Sequence, residues 1–184
     1  MNANECDLAI IDELRAAASL TDDTQVGALV DAILDARRVF VGGAGRSLLM
    51  MKAFAMRLMH LGLNAYVVGE TVTPAIGAGD LLVVGTGSGQ TRMTLAIVQA
   101  AHDRGAITAA VTAHPDSPVA LVADLVLEVH TPITGHDMPR VSMQPPGSLF
   151  EQCLLMLGEA IVLRLMRRLG TTEEQMRTRH TTLE

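Results

Sequence analysis

Large aromatic side chains are nearly missing from this chain: three Phe, one Tyr and no Trp in 184 residues, or 2%. Phe40, Phe54, Phe150 and Tyr66 are too few to build stacking platforms for unpaired bases, which argues against a single-strand nucleic-acid binder. Positive charge is also in deficit, with 14 Lys and Arg against 20 Asp and Glu, a formal net charge of -6 and a pI near 5.5. Duplex affinity rests on clustered Lys and Arg, so nucleic acid is not expected as a partner. Cysteine is scarce. Cys6 and Cys153 lie in dissimilar settings without CxxC spacing, which suggests neither a disulfide framework nor a zinc site and makes a reduced cytoplasmic home the default. The start, Met1 to Asp7, carries acids where a signal peptide carries a basic cluster and an apolar run. No uncharged apolar stretch approaches the ~18 residues of a membrane span, so no membrane partner is expected.

What is present is 49% hydrophobic residues and 18% charged ones, the balance of one compact domain that buries roughly 70% of its unfolded surface. The first 36 residues read as two helices, one striped by Leu8, Ile11, Leu14 and Ala18, the other by Val26, Leu29, Val30, Ile33 and Leu34. Thr21, Asp22 and Asp23 supply cap residues between them. An α/β core is expected over residues 37–170 and a tail helix over 171–184, all within one domain, 1–184. In that core short apolar runs at Val39–Val41, Ala65–Val68, Leu81–Val84, Ile107–Val111 and Leu125–Leu127 suit strands buried on both faces of a parallel sheet. Helical segments alternate with them, notably Leu48–Leu61 and Met93–Arg104, and Gly62, Gly105 and Gly170 stand at helix stops. The pattern predicts a doubly wound five-stranded parallel sheet flanked by helices. Pro132, Gly135, Pro139, Pro145 and Pro146 mark a long loop over Thr131–Gly147, before a final helix from about Leu149 to Met166.

In such sheets the ligand crevice lies beyond the carboxyl ends of strands 1 and 3, where strand order reverses. The loops expected there are Gly42-Gly43-Ala44-Gly45-Arg46-Ser47 and Gly85-Thr86-Gly87-Ser88-Gly89-Gln90-Thr91, and both open helices. Glycines admit close backbone approach, helix N-termini favour anions and hydroxyls add donors, so a phosphate is the natural ligand. No Gly-Lys-Ser/Thr follows, which disfavours a Walker loop, and Leu48 stands where a dinucleotide fingerprint needs its third glycine. The bland alternative is a pair of tight turns.

These loops, with Ala53 to Gly62 and Val68-Gly69-Glu70-Thr71-Val72-Thr73-Pro74, resemble the sugar isomerase (SIS) domain, a flavodoxin-like fold. Met143 to Gln152 and the ending His180-Thr181-Thr182-Leu183-Glu184 narrow the resemblance to the 6-phospho-3-hexuloisomerases of the ribulose monophosphate pathway, over nearly the whole chain. Two positions depart from the SIS pattern: Thr86 replaces the usual Ser, keeping a hydroxyl, and Gln90 replaces Glu or Asn. The resemblance implies a cytoplasmic homotetramer that interconverts 3-hexulose 6-phosphate and fructose 6-phosphate in formaldehyde assimilation, with a sugar phosphate as substrate and no metal or other cofactor. It implies phosphate contacts from Ser47, Thr86, Ser88 and Thr91 around Gly45, Gly87 and Gly89.

Under the same resemblance Glu151 is the base and His180 the second acid/base group. Each has a plain alternative: Ser148-Leu149-Phe150-Glu151 also reads as a capping box, and His180 follows Arg177-Thr178-Arg179 as a solvated tail residue would. His60 and His102 fit helix C-termini, whereas His114, His130 and His136 lie on loops after strands 4 and 5. Arg46 can fork onto phosphate or pair with a carboxylate, and Glu70 can bond sugar hydroxyls or orient Arg46. The methionines read as gap-filling core or interface groups. Apolar surface on Leu8–Ala18 and Leu154–Met166 exceeds what the sheet needs, which points to an oligomer. Two rival functions remain open, an SIS isomerase acting on another sugar phosphate and a non-catalytic sugar-phosphate sensor. The sensor lacks an output module here, since no basic helix-turn-helix segment is visible.

Overall fold

The computed structural model describes residues 2–131 and 142–183. His136 and most of the expected long loop, including Pro132, Gly135 and Pro139, lie outside the described residues.

Two helices lead the chain, α1 (Ala3–Ala18) and α2 (Asp23–Asp35). Asn2 and Glu5 cap α1 reciprocally, and Asp22 accepts the Thr24 and Gln25 amides at the start of α2. The core then alternates as expected: β1 (Arg38–Gly43), α3 (Gly45–His60), β2 (Ala65–Val67), β3 (Asp80–Thr86), α4 (Arg92–His102), β4 (Ile107–Thr112), α5 (Pro118–Val122) and β5 (Leu125–Glu128). Two helices close it, α6 (Ser148–Leu169) and α7 (Glu173–Thr178). Among the described residues α5 is the one helix of the core that the sequence pattern does not announce. Five residues cannot show a helical period, but Ser117 caps it and Pro118 opens it, which is a start signal in its own right.

All five strands are parallel in the order β2-β1-β3-β4-β5, with β3 central and buried along its whole length. Alternate residues face opposite sides. Val39, Val41, Leu81 and Val83 pack beneath α2, α3 and α6, while Phe40, Leu82 and Val84 pack beneath α4 and α5. The layers are uneven, because α1 packs on α6 as a further layer outside the sheet. Its expected stripe is left largely open: Leu8 and Ile11 stay 54% and 48% exposed, Ala18 is exposed, Leu14 is half-buried, and the one buried residue of α1 is Ala17, beside the stripe.

At the amino end of the sheet the Arg38 guanidinium donates to buried Asp80 at 2.6 and 3.0 Å, and Arg37 adds a bond at 3.2 Å. This ties β1 to β3 at the end opposite the glycine loops. Among the described residues no helix is long and apolar enough to cross a membrane.

Candidate active site at the switch of strand order

β1 and β3 are neighbours, yet the chain leaves β1 towards β2 on one side and leaves β3 towards β4 on the other. Their carboxyl ends pair in register, Gly43 beside Gly85, so the two glycine loops flank one crevice, as the sequence predicts. Side chains cannot intrude at this seam: a Cβ on Gly43 would lie 2.9 Å from the Gly85 carbonyl oxygen.

The helix starts sort into two groups. α1, α2, α5 and α7 are capped by the side chains of Asn2, Asp22, Ser117 and Thr172. α3, α4 and α6 have no side-chain cap. Two of these uncapped helices start from the glycine loops, and the third bears Glu151, so helix starts without side-chain caps and their positive ends gather where an anion is expected.

Gly45, Arg46 and Ser47 form the first turn of α3. The second loop is built as a rigid cradle. The Gly89 amide donates to the buried Thr86 hydroxyl at 3.2 Å, and the Gln90 amide donates to Ser88 Oγ at 3.3 Å. From outside, the Thr112 hydroxyl and the Ala113 amide donate to the Gly87 carbonyl, and the Val119 amide donates to that of Gly89. Gly89 has φ +61°, and a Cβ there would fall 1.9 Å from Ser117 Oγ, so no other residue fits. Thr91 is the N-cap residue of α4, but its hydroxyl does not cap it. The supporting Thr112 carries no signal in the sequence, and Ser117 carries only that of a helix start before Pro118, with nothing to tie it to the second loop.

Glu151 resolves one of the alternatives. The capping box is not formed: Gly147, at φ +87°, is the N-cap of α6, which makes Ser148 the first helical residue and Glu151 the fourth. A box needs its acid at the third position, so Glu151 cannot reach back and is released to face the crevice. Its side chain, 12% exposed, accepts the Arg46 Nε–H through the carboxylate instead. A side chain at 147 would touch it, with Cβ 3.4 Å from Glu151 Oε1, and would be strained by the positive φ. Arg46 is therefore paired with the carboxylate of α6 while 63% of its side chain stays exposed. Glu70 does not orient Arg46; it accepts from Lys52 Nζ at 2.6 Å, and both are about half exposed.

The other candidates are dispersed. His180 follows α7 and stacks on His60, ring centroids 5.1 Å apart, at the C-terminal end of α3. Arg46 and His60 are separated by nearly the whole helix, roughly 20 Å at 1.5 Å per residue, so His180 does not fold over its own chain's crevice. Burial, then the neighbouring His180 and Arg57, hold the His60 imidazole below the ordinary histidine pKa. His102 lies 3.8 Å from Asp124 at the end of α4, and His130 lies 3.3 Å from Glu128 in a groove against Cys153 and Arg164. Burial pushes the Cys153 thiol up to about 11, which leaves it inert. The His114 amide donates to Thr112 beside the second loop.

Residues 32–156 match the model of the SIS domain. The chain belongs to the SIS domain family. Among the curated relatives of this SIS domain, a 3-hexulose-6-phosphate isomerase of Bacillus subtilis is 40% identical over 100% of both chains. A 3-hexulose-6-phosphate isomerase of Mycobacterium gastri is 43% identical over 94% of this chain and 87% of its own. A crystal structure from Methanococcus jannaschii, described as inferring a molecular function of 3-hexulose-6-phosphate isomerase, superposes with a TM-score of 0.85 at 30% identity, covering 98% of this chain and 99% of that one. The doubly wound SIS architecture expected from the sequence is thus the one observed.

Proposed function

We propose that this SIS protein interconverts 3-hexulose 6-phosphate and fructose 6-phosphate, a reading supported by relatives named 3-hexulose-6-phosphate isomerase. One observation within the chain supports the reading: a nearly buried carboxylate, freed from capping its own helix, pairs with Arg46 in the uncapped first turn of the glycine-loop helix α3.

In this reading the phosphate lies against the amides of the α3 and α4 starts, with hydroxyls of Ser47, Ser88 and Thr91 as further donors. Thr86 also holds the loop, its hydroxyl accepting the Gly89 amide while keeping its own O–H to donate. The Glu151 carboxylate takes the C3 proton of fructose 6-phosphate, acidified by the C2 carbonyl, giving a 2,3-enediolate. Returning that proton to C2, with a proton moving from O3 to O2, yields the 3-ketose, so atoms and charge balance. Arg46 lies where it steadies the developing negative charge or the carboxylate that collects the proton. A second acid/base group is needed to move the proton between oxygens. His180 is assigned that role in the crevice of a neighbouring subunit, because its own crevice is out of reach.

Incubation with fructose 6-phosphate in deuterated water, followed by NMR, tests the reaction. Loss of the C3 proton signal with growth of the 3-ketose is expected. Tight binding without exchange or a new sugar would instead make the protein a sensor, and exchange at C1 would assign a different isomerase.

A further inference from the structure

α1 packs on α6 and contributes nothing to the glycine loops, yet one of its side chains is tied to the segment that introduces α6. Glu13, partly buried in the penultimate turn of α1, accepts three hydrogen bonds from consecutive residues of that segment. The Ser142 hydroxyl donates to Oε2 at 2.7 Å, the Met143 amide to Oε1 at 2.8 Å, and the Gln144 side-chain Nε2 to Oε2 at 2.8 Å. The Gln144 amide also donates to Ser142 Oγ at 3.1 Å, which closes the segment on itself around the carboxylate. Gln144 is buried at 6% exposure, so the carboxylate is held against the body of the protein rather than at its rim. Burial alone would raise the Glu13 pKa, but the bonds from Gln144, Met143 and Ser142 outweigh it, and the group titrates below the usual glutamate range.

From this latch the chain runs to α6 through a short, stiff connection. Pro145 and Pro146 each fix one backbone angle, the Pro145 carbonyl accepts the Ser148 amide at 3.1 Å, and the Gly147 carbonyl accepts the Glu151 amide at 3.0 Å. These two rings and two hydrogen bonds leave little slack between Gln144 and Glu151. A rotation of the segment at Gln144 is therefore passed to the left-handed turn at Gly147, and from there to the turn of α6 that aims Glu151 at Arg46.

We propose that Glu13 is a positioning residue for the reaction: from outside the crevice it fixes the register in which residues 142–147 enter α6, and so the place of the Glu151 carboxylate. The inference rests on the proposed isomerase reading, and it adds a residue that no glycine-loop or base motif includes. A misplacement of about 1 Å at a reacting group costs up to about 100-fold in rate, which sets the scale of the effect.

The test compares the full-length protein with Glu13→Ala, Glu13→Gln and Gln144→Leu, and with Asp12→Ala as a control on the same helix, since Asp12 meets exposed Arg15 at 3.5 Å. Fructose 6-phosphate turnover is followed together with hydrogen exchange at the Met143, Ser148 and Glu151 amides. Glu13→Ala is expected to lower kcat by roughly 10- to 100-fold with KM within about two-fold, because the phosphate cradle is untouched, and to speed exchange at those three amides. Glu13→Gln keeps one acceptor and should fall between Glu13→Ala and wild type, and Gln144→Leu, which removes a donor without altering α1, should reproduce the kcat loss in milder form. Asp12→Ala should match wild type. An active wild type whose kcat and exchange are unchanged in Glu13→Ala and Gln144→Leu overturns the positioning role alone. A wild type inert toward the sugar phosphate overturns the reaction itself, and the positioning role with it.

Discussion

Glu151 shows how a one-residue shift of a helix start decides what a side chain does. With Gly147 in the left-handed cap position, the glutamate moves from the third to the fourth place in α6, loses its own backbone as partner and takes Arg46. Glu151→Gln keeps the shape and removes the proton acceptor. Turnover of fructose 6-phosphate is expected to drop by at least about 1000-fold, while calorimetric binding of the same sugar phosphate stays within a few-fold; retained turnover would remove Glu151 as the base. Gly89 offers a second test at this scale. Gly89→Ala forces an L-residue to positive φ and drives a Cβ into Ser117, whereas Gly69→Ala, at φ +93° with open space around it, meets only the backbone strain. KM is expected to rise about ten-fold or more for Gly89→Ala and to stay near wild type for Gly69→Ala, with each losing roughly 1 kcal/mol or more of stability. The glycine loops were legible in the sequence because their chemistry is local, whereas Glu151 was singled out only through the resemblance, its local pattern reading as a capping box. The Arg46–Glu151 pair spans 105 residues and the Glu13 latch spans 130, and no local spacing encodes either.

Among the elements, the strands were the most legible, because β3 is buried along its length and its run of Leu81 to Val84 has no other reading. α5 escaped because five residues carry no period, and the box at Ser148 misled because Gly147 out-competes serine for the cap once two prolines set the approach. Element pairing at the amino end of the sheet rests on Asp80, which is 1% exposed. The hydrogen bond from Arg38 holds its carboxyl below the ordinary aspartate range, against burial and with help from the Gly77 amide and Arg37. A folded-state pKa below the unfolded one contributes stability that is full at neutral pH and fades as pH falls through the lowered value. Asp80→Asn should therefore cost roughly 3 kcal/mol in urea unfolding at pH 7, and the gap to wild type should shrink as the pH drops below about 4. A gap that persists unchanged in acid would assign the loss to packing rather than charge. Activity per folded molecule should be unaffected, since the glycine loops lie at the opposite end of the strands.

On the scale of the whole molecule, α3 carries the glutamate pair at one end, Arg46 against Glu151, and the histidine pair at the other, His60 against His180. Between them Met56 and Met59 are 54% and 40% exposed, and neighbouring α6 adds Leu155 and Leu163 at 38% and 58%. We propose that two copies related by a two-fold axis bury these apolar side chains, each bringing its histidine end to the other's glutamate end. This ties the proposed oligomer to the proposed role of His180, and mixing tests both at once. Glu151→Gln and His180→Ala homomers should each be impaired, with native elution on gel filtration. Co-refolding them should restore activity, because a hybrid contains one crevice with an intact Glu151 and a neighbour's intact His180. If the groups of one chain serve the same crevice, every crevice of a hybrid keeps one lesion and mixing restores nothing. A His180→Ala protein as fast as wild type would return the tail to a solvated surface role and leave the proton transfer from O3 to O2 to water or another group, with Glu151 still carrying the proton between carbons.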